Sequence, residues 1–127
     1  MKVCLFGGTF DPPHIGHLLI AQTLCEAEKF DKIFFVPANE SPNKNAFTEP
    51  KTRVEMLKLA VEGNPNFEIS DTKKSQVSKL KQAILKAKEV ILATDDDREG
   101  EAIAWHISQV FNLNPTSTKR IIFHEIT

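Results

Sequence analysis

The sequence is short of tyrosine, cysteine and net charge, and each shortage excludes something. Its 127 residues contain no tyrosine, 1 tryptophan and 2 cysteines, and the formal net charge is −1. So balanced a charge argues against a strongly basic nucleic-acid binder, and we expect no nucleic-acid partner. Cys4 and Cys25 lack metal-ligand spacing, and we expect two buried free thiols in a reducing compartment.

Long apolar runs are also missing. None approaches the roughly 20 residues that a membrane helix needs, so we expect no membrane partner. The opening segment, MKVCLFGG, is too short and too soon interrupted by glycine for a signal peptide, and we expect a cytoplasmic protein. The length and the hydrophobic fraction of 41% suit one domain with a real core. The sequence leaves open whether it is a monomer or a dimer.

What the sequence does contain is a regular alternation of short apolar runs with helical periodicity. Strands are predicted at 2–6, 33–36, 67–70, 90–94 and 121–123, and helices at about 16–28, 51–62, 77–87 and 99–111. Connections of this length force parallel pairing, and right-handed crossovers place helices on both faces. The prediction is an α/β fold: a three-layer, doubly wound, Rossmann-like, five-stranded and mostly parallel sheet of order 3-2-1-4-5.

Charge divides the chain into two halves. Residues 1–71, the N-terminal half, hold 7 Lys/Arg and 10 Asp/Glu, whereas residues 72–127, the C-terminal half, hold 9 and 7. The polar segment 71–75 lies at the seam. We predict one domain over residues 1–127, built from these two halves.

The segment 7–17, GGTFDPPHIGH, follows the first predicted strand. Ligands of open α/β sheets bind beyond the carboxyl ends of the strands, at a switch point such as the one beside this strand. Glycines let a phosphate approach the backbone, and the helix after Gly16 offers free N–H groups to an anion. His14 and His17 can donate hydrogen bonds to a polyphosphate, and nucleotidyl transfer needs mainly such positioning. The alternative is a pair of solvated loop histidines.

This segment resembles the H-x-G-H signature of the nucleotidyltransferase superfamily, and residues 1–71 resemble bacterial nicotinate-nucleotide adenylyltransferases. Further matching segments are Ser41–Lys44, Arg53–Ala60 and Asn64–Phe67, the last leading into Ser70-Asp71. The resemblance implies ATP and a pyridine mononucleotide as substrates, with adenylyl transfer and release of pyrophosphate.

The same resemblance implies roles for particular residues. His14 and His17 would bind ATP phosphates and be the catalytic residues of an active enzyme. The nucleotide- and phosphate-binding residues would be Gly7, Gly8, Thr9, Phe10, His14, Gly16, His17 and Lys44. The family's second half, with a G-A-D segment and an I-S-S-T-x-x-R segment, is not matched. Thr116–Arg120 is not the latter, because it runs into an apolar strand instead of opening a helix.

Three adjacent carboxylates, Asp95-Asp96-Asp97, follow the fourth predicted strand. Their mutual repulsion would be relieved by Mg²⁺, bound through one or two carboxylates plus waters. Equally, they could cap the next helix at the positive end of its dipole.

Leu92–His106 resembles the L-A-T-D-x-D-R-E-G-E-A-I-A-W-H stretch of the Toprim module of type IA DNA topoisomerases, and Arg120–Thr127 resembles its continuation. The resemblance covers about residues 75–127. It implies Asp95 and Asp97 as the magnesium ligands, and we expect Trp105 and His106 to be packing residues. The Toprim glutamate after the first strand is absent, and there is no tyrosine nucleophile, so we expect no topoisomerase activity.

Three hypotheses compete for the function. The leading interpretation is an engineered chimera of two Rossmann-like fragments without a selected reaction, retaining weak nucleotide binding. The second is an adenylyltransferase that transfers AMP from ATP to nicotinate or nicotinamide mononucleotide, and the third is a magnesium-binding Toprim-like module. None requires a cofactor, and Mg²⁺ and ATP are the ligands that the two motifs would accept. Because strands one and four are predicted neighbours, Asp95 should lie near the phosphate-binding loop.

Overall fold

The predicted alternation of strands and helices is present in the structure. The computed structural model describes residues 2–8, 10, 15–37, 50–70, 74–95, 98–114 and 117–123. The strands are β1 (Lys2–Gly8), β2 (Lys32–Pro37), β3 (Phe67–Ile69), β4 (Glu89–Asp95) and β5 (Lys119–Phe123). The helices are α1 (Ile15–Glu28), α2 (Pro50–Val61), α3 (Lys74–Lys86) and α4 (Arg98–Val110). Within these residues no helix is both long and apolar enough to cross a bilayer.

All five strands run parallel in the order β3-β2-β1-β4-β5, which confirms the predicted fold class and strand order. β1 is the central strand. Its Phe6 pairs with Phe35 of β2 on one side and with Ala93 of β4 on the other. The junction between the two halves is therefore a ladder in the middle of the sheet, where β1 of the N-terminal half meets β4 of the C-terminal half.

Alternate side chains of each strand supply two cores, because successive residues point to opposite faces of the sheet. On β1, Cys4 and Phe6 face the core beneath α1 and α2, and Val3 and Leu5 face the core beneath α3 and α4. Each core draws on both halves. The α1–α2 core contains Cys4, Phe6, Phe10, Ala21, Phe30, Ile33, Phe35, Leu57, Val61, Phe67, Ile91 and Ala93. The α3–α4 core contains Val3, Leu5, Phe34, Leu80, Leu92, Ile103, Ala104, Ile107 and Phe111.

Helix α4 crosses β1 at Gly7. A Cβ atom at Gly7 would lie 2.7 Å from Ile107 Cδ1 and 2.9 Å from Ile103 Cγ2, closer than carbon atoms pack. The missing side chain is therefore what lets a helix of the C-terminal half lie on the central strand of the N-terminal half. Gly100 lets the first turn of α4 lie close to the end of β4, since a Cβ there would collide with the carbonyl oxygen of Asp95.

An aromatic contact bridges the halves on the opposite face. The rings of Phe6 on β1 and Phe123 on β5 stack with centroids 5.0 Å apart, although β4 lies between their strands. Ala93 is the β4 residue paired with Phe6, and Phe123 is paired with Asp95, two residues further along β4, so the rings meet diagonally across the small Ala93 side of that strand. Aromatic pairs at this spacing add about 0.5–1.5 kcal/mol beyond their buried area.

A polar network joins β4, β5 and α4. Arg120 donates from Nε and Nη2 to the hydroxyl oxygen of Thr94, at 3.1 and 2.8 Å, and from Nη1 to Glu101 Oε2 at 2.8 Å. Thr94 is fully buried, so its hydroxyl depends on a partner inside the protein. The hydrogen bond and charge of Arg120 lower the pKa of Glu101 below its ordinary value of 4.5.

Two packing expectations are corrected here. Trp105, expected to pack, is 63% exposed, and His106 is exposed as well, because the buried stripe of α4 runs through Ile103, Ala104 and Ile107. The two thiols are free, but only Cys4 is buried, and Cys25 is half-buried. Burial, and secondarily the nearby Cys25, raises the pKa of Cys4 to about 12, which makes it an inert thiol.

The contact of α4 with Gly7 predicts a compensating pair of substitutions. We expect Gly7→Ala to lower the free energy of unfolding by about 1–3 kcal/mol through overpacking. Ile107→Val removes the Cδ1 atom that a new Cβ would meet and alone costs about 0.5–1.5 kcal/mol. The double variant should lose less than the sum of the single losses, measured by urea unfolding. Strict additivity would contradict the packing role of Gly7.

The Arg120–Glu101 ion pair predicts a pH effect. A carboxylate whose folded-state pKa is lowered stabilises the protein above its unfolded pKa, and this is lost as pH falls through the folded value. The Tm deficit of Glu101→Gln should therefore be present near neutrality and shrink as pH falls below 4.5. The control is Glu55→Gln, which removes an exposed charge on α2. Parallel pH profiles of the two variants would rule out the effect.

Candidate functional site

The candidate site lies at the carboxyl edge of the sheet, where β1 and β4 end side by side. Their parallel ladder runs to the pair Phe6 and Ala93, beyond which Gly7-Gly8 stay paired with β2 and Thr94-Asp95 with β5, so the two strands end at the same edge. Neighbouring strands are about 4.8 Å apart, which places the ends of β1 and β4 close together. The structure thus agrees with the expectation that Asp95 and the glycine-rich loop share one edge.

Phe10 anchors the loop that follows β1. Its backbone has φ of 54°, a left-handed conformation that costs a residue with a side chain about 1–2 kcal/mol. This turn sends the ring back into the α1–α2 core, where it is 2% exposed. There it packs against Phe6 and Phe35, with centroids 6.0 and 5.8 Å away. Phe10 is thus a core residue, and its expected part in lining a nucleotide pocket stays a prediction.

Both glycines of the strand end make room for protein atoms. Gly7 faces α4, and a Cβ at Gly8 would lie 3.0 Å from Cζ of the Phe10 ring. The sequence interpretation assigned their lack of side chains to a close approach by phosphate. In the structure, the space that a side chain would take is filled by Ile107 and Ile103 at Gly7 and by Phe10 at Gly8.

His17 lies in the first turn of α1 and is buried. It is 8% exposed, and its ring meets that of Phe10 edge to face, with centroids 5.1 Å apart and planes at 82°. The alternative of a solvated loop histidine therefore does not hold for His17. The first turn of α1 carries no acidic side chain, so its N–H groups and positive dipole end meet no competing carboxylate from that turn. Gly16 beside it is buried.

Several predicted site residues lie outside the described residues. They are Thr9, His14, Lys44 and Asp97. Their predicted roles stay predictions, as do those of Gly7, Gly8, Gly16, His17 and Asp95.

Asp95 is the described member of the acidic run. It ends β4, is half-buried, and its backbone is contacted by Gly100 in the first turn of α4. No three His, Cys, Asp or Glu side chains converge on one point among the residues that the structure describes. Among the described residues of the acidic run, only the Asp95 carboxylate could bind Mg²⁺ at this edge, and it does not form a complete set of ligands by itself. Both the metal-ligand and the helix-capping interpretations stay predictions.

Arg53 is a residue whose importance the sequence interpretation missed. It is 1% exposed, the largest fully buried side chain among the described residues, in the first turn of α2. That turn follows the loop after β2 and so lies toward the carboxyl edge. A buried guanidinium is costly unless partnered, which marks Arg53 as a specifically placed charge. The signal was present, because Arg53, Leu57 and Val61 form a buried i, i+4, i+8 stripe.

Comparisons with known proteins find relatives named nicotinate-nucleotide adenylyltransferase and a match to the Toprim domain model. "Probable nicotinate-nucleotide adenylyltransferase" of Caldicellulosiruptor saccharolyticus is 51% identical over 72 residues, covering 56% of this chain and 37% of the relative. The protein of the same name from Hydrogenobaculum sp. is 47% identical over 92 residues, covering 70% of this chain and 49% of the relative. The chain thus spans less than half the length of these relatives.

A solved structure shares the fold. The nicotinic acid mononucleotide adenylyltransferase of Plasmodium falciparum, solved in complex with NaAD, superposes with a TM-score of 0.59 over 99% of this chain and 76% of that one. The sequences are 12% identical, so the likeness concerns the fold alone.

The leading sequence interpretation, an engineered chimera without a selected reaction, is wrong. The relatives and the structural neighbour bear the names of adenylyltransferases, which favours the second hypothesis. The similarity to the Hydrogenobaculum protein also extends past residue 71. It covers 70% of this chain, or about 89 residues, which is more than the 71 residues of the N-terminal half.

The Toprim similarity also extends beyond the stretch that first suggested it. The sequence interpretation placed it at about residues 75–127, whereas the Toprim domain model matches residues 5–126, which takes in all of β2, β3, β4 and β5 and most of β1. By this match across both halves, the chain belongs to the Toprim domain family.

Proposed function

We propose that the chain binds ATP at the carboxyl edge of β1 and transfers its adenylyl group to nicotinate mononucleotide. The observation that carries this proposal is the placement of His17. It stands in the first turn of α1, immediately after the loop anchored by Phe10, in a segment with relatives named nicotinate-nucleotide adenylyltransferase. A phosphate chain lying against this turn would meet an imidazole N–H and the helix N–H groups together.

The proposed reaction is a nucleotidyl transfer without a covalent enzyme intermediate. A phosphate oxygen of the mononucleotide attacks the α-phosphorus of ATP, a new P–O bond forms, and the bond to the β-phosphate oxygen breaks. Pyrophosphate leaves with the electron pair. The protein's task is to align the two phosphates and to neutralise the charge that builds up on the leaving group, because such transfers depend mainly on positioning and electrostatics.

In this scheme the buried position of His17 is useful. A side chain packed edge to face against Phe10 is held in one orientation, so little rotamer entropy is lost when it donates to a phosphate. The low dielectric of its surroundings strengthens that hydrogen bond. His14 would act beside it, three residues earlier in the same signature. Gly16 would let the phosphate chain approach the first N–H groups of α1.

A second candidate function rests on the Toprim family membership and on Asp95. It is binding of Mg²⁺ at the end of β4, through Asp95 and Asp97, without topoisomerase activity. Mg²⁺ is commonly held by only one or two carboxylates plus waters, so a single described carboxylate is compatible with it. The two candidates predict different responses to Mg²⁺ in the absence of nucleotide.

The first candidate predicts that ATP binding depends on the two histidines. At about one hundred times its dissociation constant, ATP should add about 2.7 kcal/mol to the free energy of unfolding and raise Tm. His17→Asn and His14→Asn should each reduce the ATP-induced shift and slow pyrophosphate release about a hundredfold. His106→Asn, an exposed histidine on α4, is the matched control and should change neither.

This proposal has two separable ways to fail. An unchanged ATP shift in both histidine variants would remove the phosphate-binding role. An intact, histidine-dependent shift without pyrophosphate release on addition of nicotinate mononucleotide would leave a nucleotide-binding module without transfer. Cooperative unfolding of each variant without ligand would show that folding is not the cause.

The second candidate predicts a Tm increase with Mg²⁺ alone. Asp95→Asn should abolish that increase, because it removes a charged oxygen ligand while preserving shape. Glu89→Gln, at the other end of β4, is the control, and its increase should match that of the parent chain. If Mg²⁺ alone leaves Tm unchanged, the magnesium-module hypothesis fails, whatever the result with ATP.

A further inference from the structure

The exposed face of α3 is an unusual surface for this protein. Residues 72–88 contain six lysines and no acidic residue, although the chain as a whole carries a charge of −1. Of the lysines whose side chains the structure describes, Lys79, Lys81, Lys86 and Lys88 are all exposed. None of these four forms an ion pair with a described residue, whereas Lys2, Lys32 and Lys119 elsewhere do. The positive charge of α3 is therefore left for solvent or a partner.

A single large apolar side chain stands within these lysines. Leu85 is 84% exposed, more than any other large hydrophobic residue that the structure describes. One helical turn before it on the same face lies Lys81, Lys86 is its chain neighbour, and Lys88 follows the helix end. The apolar stripe of α3 that packs on the sheet is separate, with Leu80 1% exposed and Ala83 and Ile84 half-buried. Leu85 therefore contributes nothing to the core.

We propose that this face, defined by Lys79, Lys81, Leu85, Lys86 and Lys88, binds an anionic lipid surface. Four unpaired lysines on one exposed face complement a negatively charged bilayer, and each lysine near such a surface contributes favourably. This is peripheral binding, so the expectation of no membrane partner, which rested on the lack of a spanning run, does not exclude it. An exposed leucine between lysines can enter the interface while the lysine stems extend toward the headgroups. This surface is separate from the carboxyl edge of β1 and does not depend on the function proposed for it.

Leu85 decides between a bilayer and the other common polyanion, a nucleic acid. The phosphate backbone buries much less apolar surface of a leucine than a bilayer does, and the patch carries no aromatic side chain for stacking on bases. The interfacial zone of a bilayer does bury such a side chain. The same lysines without Leu85 would suit either partner equally.

The test is sedimentation of the chain with vesicles of phosphatidylcholine alone and of phosphatidylcholine containing phosphatidylserine. The chain should sediment with the anionic vesicles only, and binding should weaken as salt is raised. Lys81→Gln combined with Lys86→Gln should weaken binding about thirtyfold. Leu85→Gln should weaken it about tenfold at unchanged charge. The matched control, Lys51→Gln with Lys58→Gln, removes the same charge from exposed positions on α2 and should bind as the parent does.

A fluorescence measurement separates insertion from mere attraction. In a Trp105→Phe background, Leu85→Trp places the single tryptophan at the centre of the patch, and its emission should shift to the blue on anionic vesicles. Equal loss of binding in the α2 control would mean that net charge alone acts, and it would overturn the proposal. So would absence of binding to anionic vesicles, or binding to a short duplex DNA that Leu85→Gln leaves unchanged.

Discussion

The pairing of β1 with β4 is the interaction on which the rest of the structure depends. It joins residues of the N-terminal half to residues of the C-terminal half along the centre of the sheet, from Lys2 with Glu89 to Phe6 with Ala93. Without it each half would be a small open sheet with helices on only one of its two faces, because α1 and α2 cover one face and α3 and α4 cover the other. With it, side chains from both halves interleave in each of the two cores.

The fit at this junction rests on small residues placed against large ones. Gly7 accepts α4 on one face of the sheet, and Ala93 leaves space for Phe6 and Phe123 to stack on the other. In both contacts, Gly7 with α4 and Phe6 with Phe123, one partner belongs to the N-terminal half and the other to the C-terminal half. Close-packed cores are sensitive to the addition or loss of a single methylene group. The close fit of side chains at this junction therefore indicates that the two halves are complementary in shape. A junction of that quality agrees with similarity that crosses the seam in both comparisons.

The fold was predictable because its signals are local and repeated. Apolar runs bounded by Gly, Pro and polar residues indicated every strand. The helix-length connections between them are long enough to join parallel strands, as they do in the structure. The ends of the elements moved by a few residues: the fifth strand begins at Lys119 instead of Ile121, for example. Lys119 and Arg120 concealed that start, because their charges are accommodated by Glu89 and by the Thr94–Glu101 network.

The site was less predictable because a motif residue can serve packing as well as ligand binding. The glycines of the loop suggested a phosphate, and the structure shows their space filled by Ile107, Ile103 and Phe10. Periodicity indicated Ile103 and Ile107 as the apolar face of α4, and the large side chain of Trp105, expected to pack, lies outside that face. Arg53 was overlooked although its spacing with Leu57 and Val61 was visible, because a charged residue at the end of an apolar stripe is ordinarily solvated.

Membership of one family and similarity to another are physically compatible on this scaffold. Open parallel sheets concentrate helix N-termini and strand ends at one edge, so a phosphate-binding loop and a run of carboxylates occupy equivalent places after neighbouring strands. Here those places are the ends of β1 and β4, two neighbouring strands of the sheet. Any ligand bound at this edge would therefore meet residues of both halves, because β1 and β4 are neighbouring strands.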